Sequence, residues 1–204
     1  MKVLLILLAY LLGSIPWSVW IGKMFFNTDV RDFGSGNAGA TNTMRVLGAK
    51  VGFSVLILDA LKGFAAVKLV GLVPAYHDLT GFAIVLGIVS VIGHIFPIFA
   101  HFRGGKGIAT LWGMIIAIHP EAALVAIFTF TLAFVVFRIV SLSSILAAFS
   151  FPVWLIFRFH ETSNSLILFS FSVVLLVLIT HQKNIERMLN GDEKKIRLRK
   201  SDRD

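Results

Sequence analysis

Cysteine is absent from this chain of 204 residues, and charged side chains are scarce. Without cysteine the chain can form neither disulfide bonds nor thiolate metal sites. Only 15% of the residues are charged and 57% are hydrophobic, whereas a soluble domain usually has about 25% charged residues. Acidic residues are the rarer of the two signs, 11 against 19 lysines and arginines. This composition predicts an integral membrane protein and disfavours a soluble helical domain.

The excess of basic residues is concentrated at the end of the chain. Eight of the nineteen lysines and arginines follow residue 181. In a polytopic membrane protein a basic tail, here 182–204, marks a cytoplasmic segment that faces anionic lipid, so we predict no nucleic-acid partner. The apolar run after Lys2 is followed by no convincing signal-peptide cleavage site, and we interpret it as a first membrane helix.

Seven apolar segments of the sequence are candidates for membrane helices. They are 3–22, 51–73, 80–99, 108–119, 121–139, 142–158 and 164–181. A helix needs about 20 apolar residues to cross a hydrocarbon core of about 30 Å, so 108–119 is short, and five or six crossings are an alternative. We predict an all-α polytopic membrane bundle of about seven helices that forms one domain over residues 1–204.

The loops between these segments indicate how the chain is oriented. With seven crossings and the N-terminus outside, the loops 23–50 and 100–107, the turn 138–141 and the tail after 181 all face one side. That side holds fifteen of the nineteen lysines and arginines. The positive-inside rule therefore predicts that these loops and the C-terminus are cytoplasmic.

The first polar motif is the nonapeptide GSGNAGATN at 34–42, followed by Arg45. Glycines let a backbone approach a ligand closely, and successive amides of such a loop form a concavity that binds anions. Hydroxyl and amide side chains add donors, and an arginine one helical turn beyond the motif can bind the same anion with its guanidinium fork. A flexible connector is the alternative. The residues predicted to bind phosphate here are Gly34, Ser35, Gly36, Asn37, Gly39, Thr41, Asn42 and Arg45.

The second polar motif, GGKG at 104–107, combines small residues with a cation. We expect Gly104, Gly105 and Gly107 to expose backbone amides to a phosphate, while Lys106 supplies a point charge. The motif lacks the glycine spacing of a nucleoside-triphosphate P-loop, which favours a phosphate site without a nucleotide. A basic loop at the membrane interface is the alternative.

The third motif begins at the end of the last apolar segment, where His181, Asn184 and Arg187 recur every three residues. On a helix they would share one face. His181 is either a proton-transfer group or a neutral donor to a phosphate oxygen. No cluster of histidine, aspartate and glutamate has the spacing of a metal site, and no serine lies in a nucleophile elbow. We therefore predict no metal, no cofactor and no covalent catalysis.

Polar residues also occur inside the apolar segments. Asp59 and Lys62 are three residues apart and share one helix face, where they form either a structural ion pair or part of the site. His94 is interpreted as a residue that packs or orients the end of a helix.

Several motifs, taken in order along the chain, resemble one family. They are GSIP at 13–16, GSGNAGATN with RVLG at 45–48, LDALKG at 58–63, GHIFPIF at 93–99, FRGGKGIAT at 102–110, VSLSSI at 140–145, and HQKNIERML at 181–189 with Gly191 and Glu193. Over about residues 4–196 the chain resembles the bacterial acyl-phosphate-dependent glycerol-3-phosphate acyltransferases. Its departures are small, such as Arg103 where lysine is frequent and Met188 where leucine is usual.

The resemblance implies an enzyme that makes lysophosphatidic acid from acyl phosphate and glycerol-3-phosphate. It implies a multi-pass protein of the bacterial inner membrane with its active site on the cytoplasmic side, glycerol-3-phosphate binding by the second motif, and a structural role for Glu193. Its partners would be the two substrates, membrane lipid and, as a candidate, a soluble enzyme that forms acyl phosphate. The residues that match the family's catalytic positions are Ser35, Arg45, Lys106, His181 and Asn184.

Three other functions are alternatives. An acyltransferase that uses acyl-CoA or acyl carrier protein usually has an aspartate five residues after its histidine, and no histidine here has one. A transporter or channel for an organic phosphate would bind anions with the same cationic loops, but the sequence shows no inverted repeat. A lipid-binding scaffold without catalysis is the third.

Overall fold

The computed structural model describes residues 1–72 and 80–195, and this part of the chain consists of helices, turns and loops, with no strand. The prediction of an all-α protein is confirmed. The chain divides into two compact units, Met1–Glu121 and Ala122–Asp204, each described by itself below; the single domain stays a prediction. The end of the predicted 51–73 segment and the basic tail beyond Lys195 lie outside the described residues.

Six α-helices form the first unit. They are α1 (Lys2–Ser14), α2 (Trp17–Phe26), α3 (Ala40–Leu47), α4 (Ala49–Lys68), α5 (Thr80–Ile95) and α6 (Ile108–Ile118). The first apolar segment is divided into α1 and α2, which meet at an angle of 43°. The break lies at Pro16, because proline has no N–H to donate and disfavours helical dihedrals in the preceding residue; Ile15 is extended, with ψ 112°.

Close packing in the first unit depends on glycines at helix crossings. A Cβ on Gly63 of α4 would collide with the carbonyl oxygen of Thr110 on α6, and a Cβ on Gly113 of α6 would collide with that of Ala60 on α4. Small residues of this kind let helix backbones approach closely, which is how helices associate in membranes. Glycines bring α1 and α5 together in the same way. The crossings thus fix α4, α5 and α6, which carry the polar residues discussed below.

Three further helices form the body of the second unit, after α7 (Pro120–Phe137), which begins at the boundary. They are α8 (Val140–Phe157), α9 (Asn164–Thr180) and α10 (Gln182–Leu189). Helices α8 and α9 pack together, with the rings of Phe151 and Phe169 edge to face at 6.0 Å. The side chain of Ser163 caps α9 by accepting a hydrogen bond from the amide of Leu166. Helix α10 leaves α9 at an angle of 62°.

Three stretches of the described chain are long and apolar enough to cross a membrane: 80–100, α7 and α8. The number rises to five if each bent pair, α1 with α2 and α9 with α10, counts as one span. Helix α6 has only 11 residues, in line with the short segment predicted there. The seven crossings and the orientation of the termini stay predictions.

Candidate active site

The loop of the first motif is organised by the side chain of Asn42. Its amide nitrogen donates to the carbonyl oxygens of Val30 at 2.7 Å and Phe33 at 3.1 Å, and its oxygen accepts from the amide of Ser35 at 2.8 Å. Asn42 is only 2% exposed. A buried amide that uses both ends on the backbone shapes the loop. Phosphate binding by Asn42 therefore stays a prediction, and its observed contacts are structural.

Two glycines of this loop have left-handed backbone conformations. Gly34 has φ 66° and Gly36 has φ 72°, a region that other residues rarely adopt. At Gly34 a side chain would also meet the oxygen of Asn42. These glycines are therefore required by the turn itself, whether or not a ligand approaches it.

Several polar side chains of this loop and of the helix after it are exposed to solvent. Ser35 is exposed at the apex of the loop, and Asn37 and Thr41 are partly exposed. Gly39 caps α3, and Arg45 lies in the last turn of that helix, exposed and four residues beyond Thr41. The predicted helical spacing of Thr41 and Arg45 is confirmed.

The loop of the second motif is attached to the end of α5. The amide of Gly104 donates to the carbonyl oxygen of Ile95 at 3.2 Å, and the amide of Gly105 donates to that of His94 at 3.1 Å. A Cβ on Gly105 would collide with Nε2 of His94 and approach the carbonyl oxygen of Ala38 in the first motif. The first two motifs therefore lie side by side, and only glycine fits where they meet.

These contacts bear on the predicted use of the loop amides. The N–H groups of Ser35, Gly36, Gly104 and Gly105 have protein acceptors. Helices α3 and α6 begin directly after the two loops, and the first turn of a helix presents N–H groups that suit an anion. Gly107, with φ 78°, forms the cap of α6. Phosphate binding by these glycines stays a prediction.

An ion pair links the region of the first motif to that of the second. The sequence did not reveal it as part of the site. The guanidinium of Arg31 makes two hydrogen bonds to the carboxylate of Asp29, at 2.9 and 2.7 Å, and a third to the carbonyl oxygen of Ala100 at 2.9 Å. The hydrogen bonds from Arg31 hold the pKa of Asp29 well below its usual range, against the opposing effect of burial. Lys23 adds a second cation at 3.1 Å. The pair therefore stays charged and fastens the turn before the second motif.

The third motif lies in the second unit and is organised by Glu193. One oxygen of its carboxylate accepts hydrogen bonds from Ser141 at 2.7 Å and from the amide nitrogen of Asn184 at 2.5 Å, and the other accepts from Arg187 at 2.7 Å. Burial alone would raise the pKa of Glu193, but the three hydrogen bonds outweigh it and the pKa is lowered. Of the three residues predicted to share a helix face, Asn184 and Arg187 lie on α10 and reach the same carboxylate, whereas His181 is the cap that precedes this helix.

His181 lies at the junction of α9 and α10 and is buried. Its Nδ1 is 2.8 Å from the carbonyl oxygen of Val177. A carbonyl oxygen can only accept, so Nδ1 carries the proton, and in the neutral ring Nε2 keeps its lone pair. Of the two roles considered for His181, this arrangement favours acceptance of a proton by Nε2 over donation by the neutral ring to a phosphate oxygen.

One protein family matches nearly the whole chain. The family model for glycerol-3-phosphate acyltransferase matches residues 3–191, which is nearly the whole chain. The chain belongs to the glycerol-3-phosphate acyltransferase family. It is accordingly an integral membrane acyltransferase, as the resemblance of its motifs predicted.

Curated members of this family are similar over their full length. A glycerol-3-phosphate acyltransferase of Macrococcus caseolyticus is 44% identical over 198 residues, covering 97% of this chain and 98% of that protein. Glycerol-3-phosphate acyltransferase 2 of Bacillus anthracis is 42% identical and covers 96% of this chain and 100% of that protein.

Solved structures of the family have the same fold. The crystal structure of PlsY (YgiH), an integral membrane glycerol 3-phosphate acyltransferase, in its glycerol 3-phosphate form has a TM-score of 0.88 and 36% identity, and the match covers 96% of each chain. The lysophosphatidic acid form of PlsY has a TM-score of 0.85 and 35% identity, with 96% of this chain and 95% of that one covered.

Proposed function

We propose that the chain transfers a fatty acyl group from acyl phosphate to the sn-1 hydroxyl of glycerol-3-phosphate. The products are lysophosphatidic acid and inorganic phosphate. The observation that carries this proposal is the similarity, over nearly the whole chain, to an acyltransferase solved in a glycerol 3-phosphate form and in a lysophosphatidic acid form.

The chemistry of the donor explains why no nucleophilic side chain is needed. Acyl phosphate is a mixed anhydride, so its carbonyl carbon is already activated. The hydroxyl oxygen of glycerol-3-phosphate forms a bond to that carbon, the bond from carbon to the phosphate oxygen breaks, and the hydroxyl proton passes to an acceptor. Holding the hydroxyl against the carbonyl can contribute about 7 to 11 kcal/mol, and cations that neutralise the two phosphates stabilise the transition state.

Each predicted catalytic residue has a proposed part in this reaction. Lys106 and Arg45 neutralise phosphate charge, and Ser35 donates a hydrogen bond from the exposed apex of its loop. Asn184 and His181 act on the reacting hydroxyl, and Nε2 of His181 is the candidate proton acceptor. The leaving phosphate of the donor is the other candidate for this proton.

Parallel assays on the purified protein test the proposed donor. Labelled glycerol-3-phosphate is offered with acyl phosphate, acyl-CoA or acyl carrier protein, and lysophosphatidic acid is measured. We expect product with acyl phosphate alone. Product with either of the other donors would contradict the proposed donor, and binding without any product would favour a transporter or a scaffold.

The pH dependence of a His181→Ala variant separates the two proton acceptors. If Nε2 accepts the proton, acyl transfer falls by about 10² or more and the limb of the pH profile that reflects imidazole disappears. A His181→Gln variant, which keeps a polar group without a basic nitrogen, should behave like alanine. A fall of less than about tenfold with an unchanged profile would assign the proton to the donor phosphate.

We also propose that the enzyme lies in the bacterial inner membrane with its reaction on the cytoplasmic side. The basic loops support this orientation. Because the chain has no cysteine, a single cysteine introduced at the exposed Lys183 of α10 can be labelled selectively. We expect an impermeant reagent to label it in inverted vesicles, and labelling of intact cells would contradict the orientation.

A further inference from the structure

Four polar side chains meet inside the first unit, behind the loop of the second motif. Nζ of Lys62 lies 2.8 Å from Oδ1 of Asp59, and Nδ1 of His94 lies 3.5 Å from the same oxygen. Thr110 places its hydroxyl 3.2 Å from Nδ1 of His94. All four are at most 6% exposed. Lys62 also donates to the carbonyl oxygen of Ile15 at 2.9 Å, at the break between α1 and α2.

This cluster is in direct contact with the loop of the second motif. The carbonyl oxygen of His94 accepts a hydrogen bond from the amide of Gly105. The imidazole ring of His94 also lies so close to Gly105 that a Cβ would not fit between them. Gly105 is the residue immediately before Lys106. The position of the imidazole therefore determines the position of the backbone that carries the lysine.

Asp59 and Thr110 fix the orientation of this imidazole. Both approach Nδ1, so the opposite nitrogen, Nε2, faces Gly105. Thr110 is itself held, because its carbonyl oxygen lies against Gly63 at the crossing of α4 and α6. Charged side chains within a membrane protein are costly and mark functional sites more often than packing sites. Stability alone does not explain an ion pair here, since apolar residues of similar volume often stabilise a buried position as well.

We propose that His94, held by Asp59 and Thr110, is a positioning residue for Lys106 and thereby sets the affinity for glycerol-3-phosphate. Nζ of Lys62 contacts the same carboxylate oxygen of Asp59 that faces the ring. The inference rests on the proposed function, because it takes the 104–107 loop to bind glycerol-3-phosphate. It predicts that a change on the buried face of α5 alters recognition of one substrate and leaves the other unaffected.

Two substitutions at His94 form the test. His94→Leu retains bulk but removes the polar nitrogen Nδ1, whereas His94→Asn keeps a polar amide near that position. Ser90→Ala is the matched control, because Ser90 lies one turn earlier on α5, is equally buried, and has a hydroxyl with no hydrogen-bond partner in the described part of the chain. Binding of glycerol-3-phosphate is measured by calorimetry without an acyl donor, and KM is measured for each substrate.

We expect His94→Leu to weaken glycerol-3-phosphate binding by about tenfold to hundredfold, because small displacements of a positioned group have effects of this size. The KM for acyl phosphate should stay unchanged. His94→Asn should recover most of the affinity, and Ser90→Ala should match the unmodified protein. If His94→Leu does not fold, the double variant Asp59→Asn, Lys62→Met replaces it, since it removes the carboxylate without leaving an unpaired buried charge.

Unchanged glycerol-3-phosphate affinity in the folded variants would overturn the inference. So would an equal rise in KM for both substrates, a rise confined to acyl phosphate, or an equal loss in Ser90→Ala. The calorimetry also separates the two proposals: if the unmodified protein makes no lysophosphatidic acid, the proposed function fails, whereas the effect of His94 on glycerol-3-phosphate binding is still decided.

Discussion

Replacing Lys106 with alanine is expected to lower kcat/KM for glycerol-3-phosphate by about 10² to 10³, the usual effect of removing one preorganised charged donor. Lys106 is partly buried in a loop whose neighbouring residues are fixed by backbone hydrogen bonds to α5. The backbone that carries Lys106 is therefore held in place, and loss of the ammonium group is expected to leave phosphate charge without a counterion. Initial rates over a range of glycerol-3-phosphate concentrations measure the effect.

Arg103 supplies the control for this substitution. It lies three residues before Lys106, carries the same charge and has an exposed side chain. The backbone of Arg103 makes two contacts in the loop that an alanine variant retains: its carbonyl oxygen accepts from Arg31 at 3.4 Å, and its amide donates to the carbonyl oxygen of Ala100 at 3.2 Å. We expect Arg103→Ala to leave kcat/KM nearly unchanged. An equal loss in both variants would mean that general positive charge, and not a specific contact of Lys106, promotes the reaction.

Replacing Glu193 with alanine should also reduce acyl transfer, by about 10², because Asn184 loses the carboxylate that orients its amide. The variant leaves the donors of Ser141 and Arg187 without their acceptor as well. Ser141 is buried, and a buried donor that loses its partner retains the cost of desolvation, so the unfolding temperature should fall too. Both quantities can be measured on protein purified in detergent.

A Glu193→Gln variant keeps the shape of the side chain and removes its charge. The pH dependence of the unfolding temperature then shows what the charge contributes. The pKa of Glu193 is lower in the folded chain than its ordinary value of 4.5. Its contribution to stability is therefore fully present above about pH 4.5 and is lost as pH falls through the folded pKa. Because glutamine does not titrate, the unfolding temperatures of the two proteins should converge as pH falls below about 4.5. A constant difference would show that the charge of Glu193 does not stabilise the fold.

The helices could be predicted from the sequence because a membrane leaves few other solutions for apolar runs. The apolar helices agree with the predicted segments, and the short α6 was evident from the distance between Gly107 and Pro120. The short polar helices α3 and α10 lie outside the predicted segments. Pro16 likewise predicted an interruption of the first segment, although the angle at which α2 leaves α1 depends on packing. The number of membrane crossings is harder to predict, because α4 contains charged residues and α6 is shorter than a bilayer.

The internal contacts of the site could not be predicted, for two physical reasons. Asn42 has the chemistry of a ligand-binding side chain, but the same amide can satisfy backbone groups, and composition does not distinguish these uses. Arg31 reaches a carbonyl oxygen 69 residues away, and Ser141 meets a carboxylate 52 residues away. Such pairings depend on how the helices pack. An Asp-x-Arg sequence between two apolar segments therefore only weakly indicates that its arginine binds a distant carbonyl oxygen.

The ion pair of Asp59 and Lys62 also bears on how the protein is made. Both charges belong to α4, three residues apart, so this helix carries its own counterion independently of α5 and α6. An isolated charge at the centre of a helix costs about 2.5 to 3.5 kcal/mol during insertion by the translocon, and a neighbouring opposite charge reduces this penalty. We therefore expect that insertion of α4, if it crosses the membrane as predicted, does not require His94, which is contributed by the later helix α5.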